Sequence, residues 1–256
     1  MEGSMAKELK YADKASKELF QRAAEENIEL VWDRWEAMQP QCGFGTLGLC
    51  CRNCAMGPCR IDPLGNGPKY GVCGADADTI TARNIVRMIA AGAAAHSDHG
   101  RDIAHTVLMA ARHPDGDYKI KDADKLKAVA EEVYGIETKG KDIHKLAEEV
   151  AIAALDEFGR QEGTIAMAKT APEVTQKRWN EKKITPRAVD REIVEIMHRT
   201  HIGVDADYKN IIQQGLRASL ADGWGGSMIA TELSDVLFGT PDPLQSAANL
   251  GVLKQD

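Results

Sequence analysis

The chain has 256 residues, 43% of them hydrophobic, and a formal net charge of -7, which is enough apolar material for one large or two ordinary domains. The acidic balance, without clustered Lys and Arg among aromatics, excludes a nucleic-acid surface. No apolar run approaches the ~20 residues of a membrane span and the first residues lack a signal-peptide core, so a cytoplasmic protein without a membrane span is expected.

In chain order, residues 5–38 read as one amphipathic helix, with Leu9, Ala12, Ala15, Leu19 and Ala23 at near-helical spacing and Pro40 as its stop. The stretch 43–74 is rich in glycine and carries Pro58, Pro63 and Pro68, so its backbone must be irregular and turn-dominated. Residues 75–112 contain no proline and form a long helical pattern that Asp76 or Asp78 can cap. The small residues at 90–95 allow another backbone to approach. Segments 122–135 and 142–159 are two capped helices ending in glycine. After a less periodic stretch with Pro172 and Pro186, helices over 187–199, 205–221 and 227–238 complete the pattern, the glycines at 223–226 reading as a turn between helices. The expected fold class is mainly α: a helical domain over 1–240 with an irregular Gly/Pro/Cys-rich loop at 40–75. Residues 241–256 read as a linker entering a further segment, with the apolar Leu250, Val252 and Leu253 just before its last residues.

All six cysteines fall in or beside that loop, at Cys42, Cys50, Cys51, Cys54, Cys59 and Cys73, with spacing C-x7-C-C-x2-C-x4-C-x13-C. A disulfide scaffold spreads cysteines through a small fold that cannot bury its own core, so this crowding favours metal ligation. Adjacent side chains on extended backbone point to opposite faces, so one site is not expected to claim both Cys50 and Cys51. If Cys51, Cys54, Cys59 and Cys73 form one set, they supply the four thiolates of a 4Fe–4S cluster, and Cys42 and Cys50 remain as a pair. A pair is half a set, which other ligands or a second copy across a two-fold axis would complete. Structural zinc also takes four thiolates, although its motifs usually arrive as two C-x2-C knuckles, and only one is present here. Gly43, Gly45 and Gly48 do not form a phosphate loop, because the Lys-Ser/Thr ending and the preceding apolar strand are missing.

The stretch PQCGFGTLGLCCRNCAMGPCRIDPLGNGPKYGVCGADADTITARN, followed by AAGAAAHSDHGRDIAH, EIMHRT and LFGTP, closely resembles the N-terminal part of anaerobic nickel–iron carbon monoxide dehydrogenases. The resemblance extends over nearly the whole chain. It implies an oxidoreductase that converts CO and H2O to CO2, two protons and two electrons. Electrons would pass through iron–sulfur clusters from a nickel–iron–sulfur active site to a ferredoxin-like acceptor. By this likeness Cys51, Cys54, Cys59 and Cys73 hold an intrachain 4Fe–4S cluster. Cys42 and Cys50 hold a cluster shared with the same residues of a homodimer mate; their x7 gap resembles the subgroup in which it is 4Fe–4S, whereas members with a shorter gap carry a smaller cluster.

The resemblance also implies a proton relay through His96, His99 and His105, with Asp102 standing where some members have a further histidine. Histidine suits such a role because its unperturbed pKa lies near neutrality. The active-site ligands of the family lie in downstream α/β domains, so the resemblance implies that 241–256 is a linker into an α/β catalytic domain of which only the start is present. The chain is therefore expected to lack that site, to need the Ni–Fe–S cluster of the longer enzyme for CO chemistry, and to oxidise no CO alone. A stand-alone iron–sulfur electron-transfer module and a zinc-stabilised binding protein are the alternative readings.

Overall fold

The computed structural model describes residues 13–62 and 64–242, and it is mainly α with one small sheet. Two compact units divide at Leu47 and Gly48. In the first, helix α1 (Lys14–Glu25) is capped by Asp13, whose carboxylate accepts from Ser16 N at 2.8 Å. Asn27, at φ 53°, takes the left-handed conformation that short polar side chains tolerate, and it breaks the single helix expected over 5–38. Residues 5–12 of that expectation lie outside the described residues. The chain restarts as α2 (Val31–Ala37), where Asp33 accepts from Leu30 N at 2.8 Å, and a short α3 (Gly43–Thr46) begins directly after Cys42. Ala23 alone is buried among the described residues of this unit, while Trp32, Trp35 and Met38 are exposed.

The second unit opens with β1 (Cys50–Cys51) and β2 (Cys59–Arg60), an antiparallel pair in which Cys51 faces Cys59 and Cys50 faces Arg60. The 36-residue α4 (Ala77–Arg112) follows, and Asp76 is its cap, accepting from Thr79 N at 2.9 Å. One face of α4 is buried along its whole length: Ile80, Arg83, Val86, Ala90, Ala93, Ser97, Gly100, Ala104, Val107 and Ala111 recur at steps of three and four. The middle of that stripe is made of small residues, as the sequence leads one to expect.

Next come α5 (Ala123–Ala128), whose last turn widens into a π-helix over Val129–Tyr134 closed by Gly135 at φ 65°, and α6 (Ile143–Gly159), capped by Asp142. A 3-10 turn (Met167–Thr170), α7 (Glu173–Glu181), α8 (Val189–Arg199), α9 (Tyr208–Ala221) and α10 (Met228–Phe238) complete the described chain. The glycines at 223–226 do not make a turn between separate helices. Residues Asp222–Ser227 continue α9 into α10 as one wide π-helical turn, because glycine lets that backbone lie directly on α4. A Cβ at Gly226 would stand 2.9–3.0 Å from backbone atoms of His96 and Ser97, and one at Gly100 would stand 2.6 Å from Gly226 O.

α4 is the spine against which α6, α8, α9 and α10 pack. The main core joins Leu146, Val150, Phe158, Ile165, Ile229 and Leu233, and a smaller one joins Val86, Ile196 and Ile211; each such side chain contributes about 1.5–3 kcal/mol on burial. Between α8 and α9 the fully buried Glu192 accepts from Arg187 Nε at 2.6 Å and Arg217 Nε at 2.8 Å. No helix among the described residues is long and apolar enough to cross a membrane. Of the expected 241–256 linker, residues 243–256 lie outside the described residues; just before it, Thr240 Oγ1 donates to Asp122 Oδ2 at 2.7 Å.

Candidate metal centre

Four of the six cysteines line one small cavity: Cys51, Cys54, Cys59 and Cys73. The two-stranded ladder brings Cys51 opposite Cys59, and the turn between β1 and β2 carries Cys54. Cys73 arrives from the far side of the loop, where Gly74 N bonds to Gly71 O at 2.9 Å and Gly71 N bonds to Ala75 O at 2.8 Å. Beneath the loop Cys51, Ile61, Ala75 and Ile80 form their own apolar cluster, which seats it on the first turn of α4. None of the six cysteines is in a disulfide.

The alternation expected at Cys50 and Cys51 is present. Cys51 is buried and lines the cavity, whereas its neighbour is half-buried and does not. Asn84 on α4 holds the start of β1 in place, its Nδ2 donating to Gly48 O at 2.9 Å and Cys50 O at 3.2 Å. Cys42, in the first unit, is exposed and directly precedes α3.

Several groups around the four thiols fit an anionic occupant. Val72 N donates toward Cys59 Sγ and Arg83 Nη1 toward Cys73 Sγ, each at 3.5 Å. Two buried donors that line the cavity, Asn53 Nδ2 and Arg83 Nε, have no partner among the described residues. A buried donor without an acceptor is costly, so its presence here marks a place for one. Gly71 leaves room beside the thiols: a Cβ there would stand 3.2 Å from Cys59 Cβ and 3.4 Å from its Sγ. Burial alone would push the Cys73 thiol up. The hydrogen bond and charge of Arg83, with backbone donors at Ala75 and Gly203, outweigh it and hold the thiol below its ordinary range.

The histidine segment lies on α4, which runs unbroken through Gly100. His96 and His99 line one open groove together with Ser227, Thr231 and Ser234. Asp102 and His105 are exposed on the same helix but do not line that groove. His96 Nδ1 lies 2.8 Å from Asp222 Oδ1 and 3.3 Å from Ser227 Oγ.

Arg83, Asn53, Asn84 and Asp222 are the site residues that spacing of cysteines and histidines misses. Arg83 had a legible signal, since a charged residue on the apolar stripe of α4 calls for a buried counter-charge. Asn53 and Asn84 had none, because their roles depend on loop geometry.

A mainly α chain carrying a cavity lined by four thiols is the class that fold and site define. The Prismane/CO dehydrogenase family model matches residues 49–256, and the chain belongs to that family. Carbon monoxide dehydrogenase 1 of Methanosarcina acetivorans is 57% identical over 258 residues, covering 98% of this chain and 41% of the relative. Carbon monoxide dehydrogenase 1 of Carboxydothermus hydrogenoformans is 53% identical over 237 residues, covering 91% and 37%. Among solved structures, a nickel-free carbon monoxide dehydrogenase from Thermococcus sp. AM4 superimposes with a TM-score of 0.86 at 56% identity, covering 96% of this chain and 39% of that one. An acetyl-CoA synthase/carbon monoxide dehydrogenase described with NiZn- and NiNi-Fe4S4 clusters gives 0.82 at 40% identity, covering 89% and 34%. The chain thus spans about two fifths of the length of the curated relatives it matches.

Proposed function

We propose that this chain is the N-terminal, electron-transferring portion of a carbon monoxide dehydrogenase, in which Cys51, Cys54, Cys59 and Cys73 hold a 4Fe–4S cluster. The observation that carries this reading is the convergence of those four thiols, with unpartnered buried donors, on one cavity. A single C-x2-C followed by gaps of four and thirteen residues suits a polynuclear cluster, in which each thiolate takes a different iron, better than zinc, whose motifs usually arrive as two C-x2-C knuckles. Such a cluster supplies one-electron transfer when bound. Around it the chain contributes Val72 N and Arg83 as donors to sulfur, and the apolar seat of Ile61, Ala75 and Ile80 to limit water.

Cys42 and Cys50 are two ligands short of a set, and a homodimer mate supplies the other two in a shared 4Fe–4S cluster. Electrons released when CO and H2O become CO2 and two protons leave by this route to a ferredoxin-like acceptor, in an anaerobic, cytoplasmic setting that keeps thiols reduced. The Ni–Fe–S centre and its ligands belong to the longer enzyme. His96, His99, Asp102 and His105 form the relay for protons, with Asp222 orienting the first of them. The test is anaerobic purification followed by iron and sulfide analysis, electron paramagnetic resonance, and CO-dependent viologen reduction. A reduced cubane signal without CO turnover is the expected result. Stoichiometric zinc, or nickel-dependent turnover by this chain alone, would overturn it.

A further inference from the structure

Arg83 lies on the buried stripe of α4 and is 1% exposed. Its guanidinium is a permanent cation with five donors. Nη2 donates to Asp205 O at 2.6 Å and Nη1 toward Cys73 Sγ at 3.5 Å, while Nε is buried without a partner. Among the described residues no carboxylate forms an ion pair with it. The side chain of Asp205 lies instead 3.6 Å from Arg199 Nε.

A buried cation faced only by a carbonyl and a thiol carries a large desolvation cost, and folds retain one where a counter-charge meets it. Arg83 lines the four-thiol cavity, so the counter-charge belongs there. We infer that Arg83 is a positioning residue that sets the reduction potential of the group held by Cys51, Cys54, Cys59 and Cys73, acting as its fixed counter-charge. This rests on the ligand assignment proposed above.

The step concerned is the uptake of one electron, supplied by CO oxidation in the proposed reaction and passed on to the acceptor, with no bond made or broken. Four thiolates on an oxidised 4Fe–4S core make a dianion, and the electron adds one negative charge. A cation held in a poorly screened interior favours the more negative state, so Arg83 raises the potential. Neighbouring contacts hold the segment that anchors it. Thr79 Oγ1 donates to Ala206 O at 2.9 Å and Arg87 Nε to Thr200 Oγ1 at 2.9 Å, so the loop beyond α8 stays fastened when Arg83 alone is changed.

The experiment is a redox titration, monitored by electron paramagnetic resonance, of the full chain loaded with iron and sulfide. It compares wild type with Arg83→Gln and Arg83→Lys. Arg83→Gln is expected to disfavour reduction at least tenfold, a shift of about 59 mV to more negative potential for one electron. Arg83→Lys is expected to recover most of that shift. An unchanged potential in Arg83→Gln, or a lysine variant as low as the glutamine one, overturns the inference. If neither variant keeps its iron, wild type labelled with 15N in the arginine guanidinium decides: hyperfine coupling of that nitrogen to the reduced cluster supports the role, and its absence overturns it. A wild-type chain that binds no four-iron cluster overturns the ligand assignment itself, and this inference with it.

Discussion

His96 on the spine helix and Asp222 on the π-helical turn lie 2.8 Å apart, Nδ1 to Oδ1, although they are 126 residues apart in the chain. A carboxylate at Nδ1 selects the tautomer that carries its proton there and leaves Nε2 as the acceptor. Nitrogen shifts of labelled histidine should show the Nδ1–H form of His96 dominant in the neutral ring. Asp222→Ala should move the population toward Nε2–H and, because His96 is more than half exposed, lower stability by only about 0.5–1 kcal/mol.

The crossing of α4 and the π-helical turn should be far less forgiving. Gly226→Ala places a methyl 2.9–3.0 Å from the His96 and Ser97 backbone, atoms that cannot rotate away. The expected loss is about 2–3 kcal/mol in denaturant unfolding. Gly92→Ala, with nothing within 4 Å of the new carbon, should instead be neutral or slightly stabilising by virtue of helix propensity.

The fully buried Glu192 pairs with two arginines, and Glu192→Gln leaves Arg187 and Arg217 to share the one carboxylate of Glu195. Because both arginines are partly exposed and keep Glu195, a destabilisation of roughly 1–3 kcal/mol is expected from chemical unfolding, below that of a fully buried orphaned charge.

Glu195 controls the response of the same cluster to acid. Burial alone would raise its pKa, but the hydrogen bond and charge of Arg187, with the charge of Arg217 and a bond from Arg191, outweigh it and hold it below the ordinary glutamate range. A lowered folded-state pKa means that the contribution is present above the unfolded value of about 4.3 and is lost as pH falls through the folded one. Thermal unfolding followed below pH ~4.3 should therefore show a steeper loss in wild type than in Glu195→Gln.

Iron content separates the two cysteine sets. On the proposed assignment, Cys54→Ser should abolish the intrachain cluster, whereas Cys42→Ser should spare it and remove the shared cluster together with the proposed dimer, read by iron per chain and sedimentation. Loss of the intrachain signal in Cys42→Ser would reverse the assignment.

Much of this architecture was legible in the residues. Asp76, Asp142 and the steps of three and four from Ile80 to Ala111 carry their helices in local chemistry, and the crowded cysteines mark the loop whose thiols line one cavity. Asn27 was missed because a single left-handed residue interrupts α1 and α2 without disturbing the apolar spacing around it. The glycines at 223–226 read in sequence as a turn between helices because glycine has that use too; only the nearness of His96 and Ser97 shows that they serve close approach. Asp222 and Arg83 act across long sequence distances, through contacts that no local pattern contains.

The adjacency of Cys50 and Cys51 carries a further consequence. One peptide unit separates a thiol that faces the cavity from a neighbour that does not line it, so whatever groups the two sulfurs bind are joined by a short, unbroken run of covalent bonds. Under the proposed ligand assignment, strand alternation both sorts the two thiols and leaves their groups joined through one peptide unit. It allocates neighbouring thiols to separate destinations while making those destinations as near to each other as a polypeptide permits.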